Sequence, residues 1–184
     1  GNVSTGSNSY ILKVAPYKKF WFADTKVTAV AASNTFKIVA FSTIDGFVHV
    51  HDLTTTKEIS RVNVNYEVKQ IVITKNWGFI VTSSEEMINV ISVNGEQIKL
   101  YKTPFVIGKI FACATNSGFD YIAFSTWENN VGYFEALYPE AWIDLKKCES
   151  PVVKVNYDNI HRTFIVIEEN GDISLIPTVI QLSI

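Results

Sequence analysis

Short apolar runs, broken at turn-forming pairs, make up most of the chain. Between residues 27 and 62 the runs occupy 27–33, 36–42, 47–52 and 57–62, separated by Asn34-Thr35, Asp45-Gly46 and residues 54–56. Runs of this length, punctuated by Asn, Asp and Gly, read as antiparallel strands and point to a sandwich, a barrel or a propeller. Residues 67–101 form a second set, with Asn94-Gly95 as the clearest hairpin signal. A third set covers 106–146 with a turn at Tyr138-Pro139, and a fourth starts at residue 152 and turns at Asn170-Gly171. The three- and four-residue apolar spacing of an amphipathic helix is not sustained in any of these sets.

These sets repeat. Ala40-Phe41-Ser42-Thr43 recurs as Ala123-Phe124-Ser125-Thr126, an offset of 83. The match extends outward: Val39 with Ile122, Asp45 with Glu128, Gly46 with Asn129, Val48 with Val131, Val50 with Tyr133 and Asp52 with Glu135. Gly and Asn are the residues that best tolerate positive φ, so the exchange of Gly46 for Asn129 preserves one turn geometry. At an offset of 40, Ile88 and Val90 take the places of Val48 and Val50; at 125, Ile173 and Leu175 do. Successive steps of 40, 43 and 42 residues match the WD40 period of about 40–45 residues, with four strands per unit.

Residues 39–52, Val-Ala-Phe-Ser-Thr-Ile-Asp-Gly-Phe-Val-His-Val-His-Asp, resemble the central stretch of a WD40 repeat. His51 stands where the family's Trp would, and the usual Gly-His is missing from every unit, so the family's hydrogen-bonded tetrad is not expected. The resemblance implies an all-β protein of WD40-type β-propeller blades, about four four-stranded antiparallel units over 27–66, 67–105, 106–150 and 151–184. Such propellers usually close with about seven blades, so these four are expected to belong to a larger ring, or to associate with further copies to complete one. Residues 1–26 then form an N-terminal segment that is either partly disordered or holds, at 10–14 and 19–22, outer strands of an incomplete preceding blade. A narrower resemblance lies in Trp77-Gly78-Phe79-Ile80-Val81 and Ser92-Val93-Asn94-Gly95, which look like the C-terminal propeller of BEACH-domain proteins. It implies a place in a large scaffold of vesicle and membrane traffic. The chain starts at Gly1 and its one methionine is Met87, so it is expected to be a piece of something longer.

Composition agrees with strands. Valine and isoleucine number 21 each against 7 leucines, and β-branched side chains suit a pleated surface better than a helix. A chain of 184 residues, 47% hydrophobic, can bury a core without disulfides. Cys113 and Cys148 are too few for a disulfide framework and are expected to be buried, reduced thiols of a cytoplasmic protein. The net charge of −2 speaks against nucleic acid, which needs clustered Lys and Arg. Lys18, Lys19 and Lys26 read as a solvated group, and Asn2-Val3-Ser4 as a chance sequon. With no run of about 18 apolar residues, no integral membrane segment is expected; peripheral membrane association stays open.

Little in the sequence reads as catalytic. His49 and His51 share one strand face, but a zinc site normally wants three or four ligands, and His161 is two repeats away; no metal or cofactor is expected. There is no Gly-x-Ser-x-Gly elbow and no phosphate-cradling glycine loop. Glu85, Glu86, Glu128, Glu168 and Glu169 fall at equivalent turns, which in a propeller share one rim; they read as solvated charges or as an acidic docking rim. Trp127 lies in such a turn, and Tyr66 and Phe105 precede first strands on the same side. These aromatics read as interface anchors or as packing between blades, whereas Trp77 and Trp142 are expected in the core. The candidate protein-interaction residues are therefore Trp127, Glu128, Tyr66, Phe105, Glu85 and Glu86, with a protein or peptide as partner. Two other classes are a propeller-type hydrolase with its site on the central channel, and a lipid-binding propeller. The first needs converging carboxylates and the second paired arginines; the only arginines are Arg61 and Arg162.

Overall fold

A computed structural model describes residues 25–178. The expected outer strands at 10–14 and 19–22 lie outside those residues. The chain forms β1 (Val27–Ser33), β2 (Ile38–Thr43), β3 (Phe47–Asp52) and β4 (Glu58–Asn63), then β5 (Gln70–Ile73), β6 (Ile80–Ser83), β7 (Met87–Ile91) and β8 (Gln97–Lys102). There follow β9 (Ile107–Ala114), β10 (Asp120–Thr126), β11 (Asn130–Glu135) and β12 (Ile143–Lys147), and finally β13 (Val152–Asp158), β14 (Thr163–Glu168) and β15 (Ile173–Pro177). A single 3₁₀ turn at Pro139–Ala141 interrupts the third set, and there is no α-helix among the described residues.

Each set folds on itself as an antiparallel meander. The sheets run β1-β2-β3-β4, β5-β6-β7-β8 and β9-β10-β11-β12, and the last is β13-β14-β15. These are the blades of a β-propeller. Their first strands β1, β5, β9 and β13 stand side by side in that order. The β2–β3 and β10–β11 turns share their expected geometry, with φ of +90° at Gly46 and +62° at Asn129.

Alternation along each strand gives a blade two apolar faces, and stacking neighbours buries them. Ala40, Val48 and Val50 of the first blade meet Ile73, Ile80 and Ile91 of the second. Val81, Ile88 and Val90 of the second meet Ile122, Phe124 and Phe134 of the third. Cys113, Ala123 and Val131 of the third meet Val155, Phe164 and Val166 of the fourth. None of these three clusters joins the fourth blade to the first.

Polar ties cross the same junctions. Asp120, buried at the start of β10, accepts from the backbone N–H groups of Asn76 (3.1 Å) and Trp77 (3.0 Å). Asn159 accepts from the Asn116 N–H at 2.7 Å and donates to the Ala114 carbonyl at 3.0 Å. Glu168 departs from its expected place as a solvated turn charge. It is buried and accepts from the N–H groups of Glu149 (2.8 Å) and Ser150 (3.1 Å), with Lys146 Nζ at 3.4 Å. Those backbone donors hold its carboxyl below the usual carboxylate range. Trp77 also departs from expectation: it is 64% exposed, in the turn between β5 and β6, its indole N–H donating to the Gly118 carbonyl at 2.6 Å. Trp142 is half-buried against the second junction.

Candidate functional site

The β10–β11 turn owes its shape to Thr126 and Asn129. Asn129 donates its N–H to the Thr126 carbonyl at 3.0 Å, and Asn130 N–H reaches Thr126 Oγ1 at 3.1 Å. With that turn closed, Trp127 and Glu128 point into solvent, and Trp127 is 74% exposed. Trp127 N–H donates to the Val106 carbonyl at 3.1 Å, which fixes this turn to the connection between the second and third blades.

The β6–β7 turn grips the same connection from the other side. The Glu86 carbonyl accepts from Thr103 N–H at 2.8 Å, and the Glu85 carbonyl from Ile107 N–H at 2.7 Å. Thr103 Oγ1 donates to the Phe105 carbonyl at 2.6 Å. Residues 103–107 are thus clamped between two hairpin tips. Trp127, Glu128, Glu85, Glu86 and Phe105, five of the six residues singled out in the sequence, meet at one corner of the rim.

Phe105 is half-buried at that corner. Its ring stacks on Phe124 at 4.8 Å and meets Trp142 edge-on at 5.0 Å. Gly132 leaves room for this group: a Cβ there would lie 2.5 Å from Phe124 Cζ and 2.7 Å from the Ile143 carbonyl oxygen. Beside the aromatic trio opens a cleft of about 420 Å³, whose polar lining includes Thr126, Asn130, Asp144 and Lys147. A cleft of that size, lined by the aromatic trio and Leu145 together with Thr126, Asn130, Asp144, Lys146 and Lys147, can take one or two side chains of a partner. Glu85, Glu86 and Glu128 are exposed and form no ion pair among the described residues.

Tyr66 takes the equivalent place one junction earlier, in a connection held by the Gly46 carbonyl through Val64 N–H at 2.9 Å and by the Ser83 carbonyl through Lys69 N–H at 2.8 Å. Its ring packs into the first junction and its hydroxyl lies 3.1 Å from Thr82 Oγ1; burial pushes its pKa up. Of the two aromatics expected before first strands, Tyr66 therefore serves packing, and Phe105 serves packing while also lining the cleft.

The other chemical candidates are enclosed. Thr43 donates to Asp45 Oδ1 at 2.5 Å and sits 3.0 Å from His49 Nε2, an acid–hydroxyl–imidazole row, but the Thr43 hydroxyl is wholly buried and open to no substrate. His51 Nδ1 lies 3.0 Å from the Thr56 carbonyl. Burial pushes the Cys113 thiol up to about 11, so the reactive thiolate is scarce at neutral pH. No cluster of three His, Cys, Asp or Glu side chains suited to a metal occurs among the described residues. No helix among them is long and apolar enough to cross a membrane.

No family model matches the chain, and none of the curated proteins matches it. Solved structures do. The computationally designed Ika4 protein aligns at TM-score 0.61 and 15% identity, over 84% of this chain and 92% of that one. The computationally designed Ika8 protein aligns at 0.61 and 15%, over 82% of this chain and 45% of that one. The β-propeller domain of Myceliophteria thermophila Cps50 (Swd1) aligns at 0.63 and 10%, over 85% and 55%. This chain spans about half the length of the last two. At such identities the likeness is one of fold, a run of antiparallel β-propeller blades.

Proposed function

We propose that the chain is a non-catalytic docking platform that holds a protein or peptide at the corner between its second and third blades. The observation that carries this reading is that the hairpin tips bearing Trp127, Glu128, Glu85 and Glu86 both hydrogen-bond to residues 103–107, the connection from which Phe105 reaches into a cleft it lines with Phe124 and Trp142. An exposed indole buries much area with few torsions to freeze, and unpaired carboxylates beside it favour a basic neighbour through charge complementarity. The partner is a segment with a bulky apolar side chain flanked by lysine or arginine.

Binding to an array of such peptides tests the reading. Trp127→Ala should weaken the best binder about tenfold or more, as expected for an interface anchor. Glu85→Lys with Glu128→Lys should slow association and remove its salt dependence. Full binding by both variants, or turnover of a hydrolase substrate panel by the parent chain, would overturn it.

The narrower resemblance of residues 77–81 and 92–95 adds a setting. In this proposal the blades belong to the propeller of a BEACH-domain scaffold, cytoplasmic and peripheral to membranes, and serve vesicle traffic. A full-length reading frame without a BEACH module would remove that setting and leave the docking corner intact.

A further inference from the structure

Three hairpin turns end on a glycine held in one geometry. Gly46, Gly95 and Gly171 have φ of +90°, +89° and +94°. Each donates its N–H to the carbonyl three residues earlier, Thr43, Ser92 and Glu168, and each of those bonds is 3.0 Å long. The residues before these glycines are Asp45, Asn94 and Asn170, whose side-chain carbonyl carbons can reach the next backbone nitrogen. A glycine at that nitrogen has no Cβ to shield it. Asn94-Gly95 and Asn170-Gly171 are the only Asn-Gly pairs of the chain. Since the main chain is the same in all three turns, the surroundings of the side chain decide which one reacts. Those surroundings differ. The Thr43 hydroxyl donates to Asp45 and holds its carboxyl below the usual range, so Asp45 is an anion with no group to lose. Asp172 grips the Asn170 carboxamide at both ends: Nδ2 donates to Asp172 Oδ2 at 3.1 Å, and Oδ1 accepts from Asp172 N–H at 3.0 Å. Asn94 is exposed, and its carboxamide makes no hydrogen bond among the described residues. It alone is free to turn its Cγ onto the glycine nitrogen.

We propose that Asn94 is a site of spontaneous covalent modification, converting in the folded chain to aspartate and isoaspartate through a cyclic imide with Gly95. The Gly95 nitrogen gives up its proton to solvent and bonds to Asn94 Cγ. The bond from Cγ to Nδ2 breaks, and that nitrogen takes up a proton and leaves as ammonia. Water then opens the imide at one of its two carbonyls. One opening restores the backbone with an aspartate side chain; the other routes the backbone through Cβ and Cγ and lengthens it by one carbon. No electrons are gained or lost, and water is the only co-reactant. The bond from Gly95 N–H to Ser92 has to open first, but Gly171 carries the same bond, so that cost cancels between the two pairs. The change strikes a contact between blades. Ser60 Oγ on β4 donates to the Val93 carbonyl at 2.8 Å, and a Cβ on Gly95 would lie 3.1 Å from both Ser60 Cβ and Val62 Cγ2. An extra backbone carbon beside Gly95 finds no room against β4, so the tip lifts away and the Ser60 bond is lost. Asn94 thus carries a slow chemical release of the second blade's tip from the first blade.

Peptide mapping of the 184-residue chain, kept folded at mildly alkaline pH and sampled over days, tests this. Trypsin places the two Asn-Gly pairs in separate fragments, residues 76–99 and 163–184. The first fragment should gain one mass unit, with fragmentation locating a mixture of aspartate and isoaspartate at position 94. Two hydrogen bonds must break to free Asn170 and none to free Asn94, so Asn94 should convert roughly tenfold faster. In concentrated urea the two pairs should convert at the same rate, because the grip of Asp172 is gone. Asp172→Ala, at an exposed position, should speed Asn170 in the folded chain and leave Asn94 unchanged. As conversion proceeds the urea midpoint of the parent should fall, whereas Asn94→Gln, whose longer side chain closes the ring poorly, should hold its midpoint through the same incubation. Three results would overturn the proposal: equal rates at the two pairs in the folded chain; protection of both pairs until urea is added; or a fully converted parent whose midpoint has not moved. None depends on peptide binding at the docking corner.

Discussion

In the second blade Ile88 and Val90 are buried against the third; in the fourth, Ile173 and Leu175 occupy the same places and stand two-thirds exposed. The side chains are equally aliphatic and the strands equally regular, so the repeat itself does not decide burial. The neighbour does. A blade of this kind carries its interface with it, and the energy of that interface is realised only where another sheet lies on top. The second junction and the open face of the fourth blade should therefore answer differently to the same kind of substitution.

The largest response is expected where the second junction is most densely filled. Phe124 is buried, stacked on Phe105 at 4.8 Å, 6.1 Å from Phe134 and edge-on to Trp142 at 6.2 Å. Phe124→Ala should cost about 3–5 kcal/mol of unfolding free energy, read from a urea titration. A loss under about 1 kcal/mol would mean that the junction can collapse around the missing ring.

The matched pair comes next. Ile88→Ala should cost about 2–4 kcal/mol, whereas Ile173→Ala, measured in dilute solution, should stay within about 0.5 kcal/mol of the parent. Equal losses at the two sites would show that the fourth blade's face is covered in the free chain. A smaller effect is expected from the polar tie of the second junction. Asp120→Ala removes the acceptor for two backbone N–H groups and should cost about 1.5–3 kcal/mol, with a change in the fluorescence of Trp77, whose N–H is one of the two.

These contrasts also mark what could be read in the sequence. The blades were legible because the period, the Ala-Phe-Ser-Thr copies and the Gly46/Asn129 turn are local features, and the turn angles agree. Trp127 carries both readings in the sequence, anchor and packing, and is exposed in the structure because a hairpin tip gives its side chain nothing to lie against. Tyr66 and Phe105 were left between two readings, since the difference depends on which side chains the next blade presents. Trp77 is expected in the core but is exposed: it sits in the turn between β5 and β6, and its partner Gly118 is 41 residues away. Asp120 and Glu168 gave no signal at all. Their donors are backbone groups of other segments, so no residue type records the contact, and in Glu168 the neighbouring Glu169 made a solvated pair the natural reading.

The smallest effect separates the two ends of the chain of blades by pH. At the repeat position of His49 the later blades carry Asn89, Gly132 and Ser174, none of which titrates. His49 is buried near Glu58, with Nδ1 and Oε1 3.8 Å apart, and burial, helped by Arg61 and His51, lowers its pKa against the opposing pull of Glu58 and Asp45. A folded-state pKa below the unfolded value of about 6.5 means that, as pH falls through 6.5, the unfolded chain takes up a proton that the folded chain refuses. Stability must then decline on acidification until the folded pKa is reached, at no more than about 1.4 kcal/mol per pH unit for one proton. The carboxylates held low, Asp45, Asp52, Glu58, Asp158 and Glu168, lose their contribution only below about pH 4.5, so a scan that stops at about pH 5.5 stays above their window. The urea midpoint should fall between about pH 7.5 and 5.5 in the parent and stay level in His49→Asn, the residue the second blade already uses there. A level midpoint in the parent would place His49 in contact with enough negative charge to cancel its burial, and the first blade would then be no more pH-sensitive than the fourth.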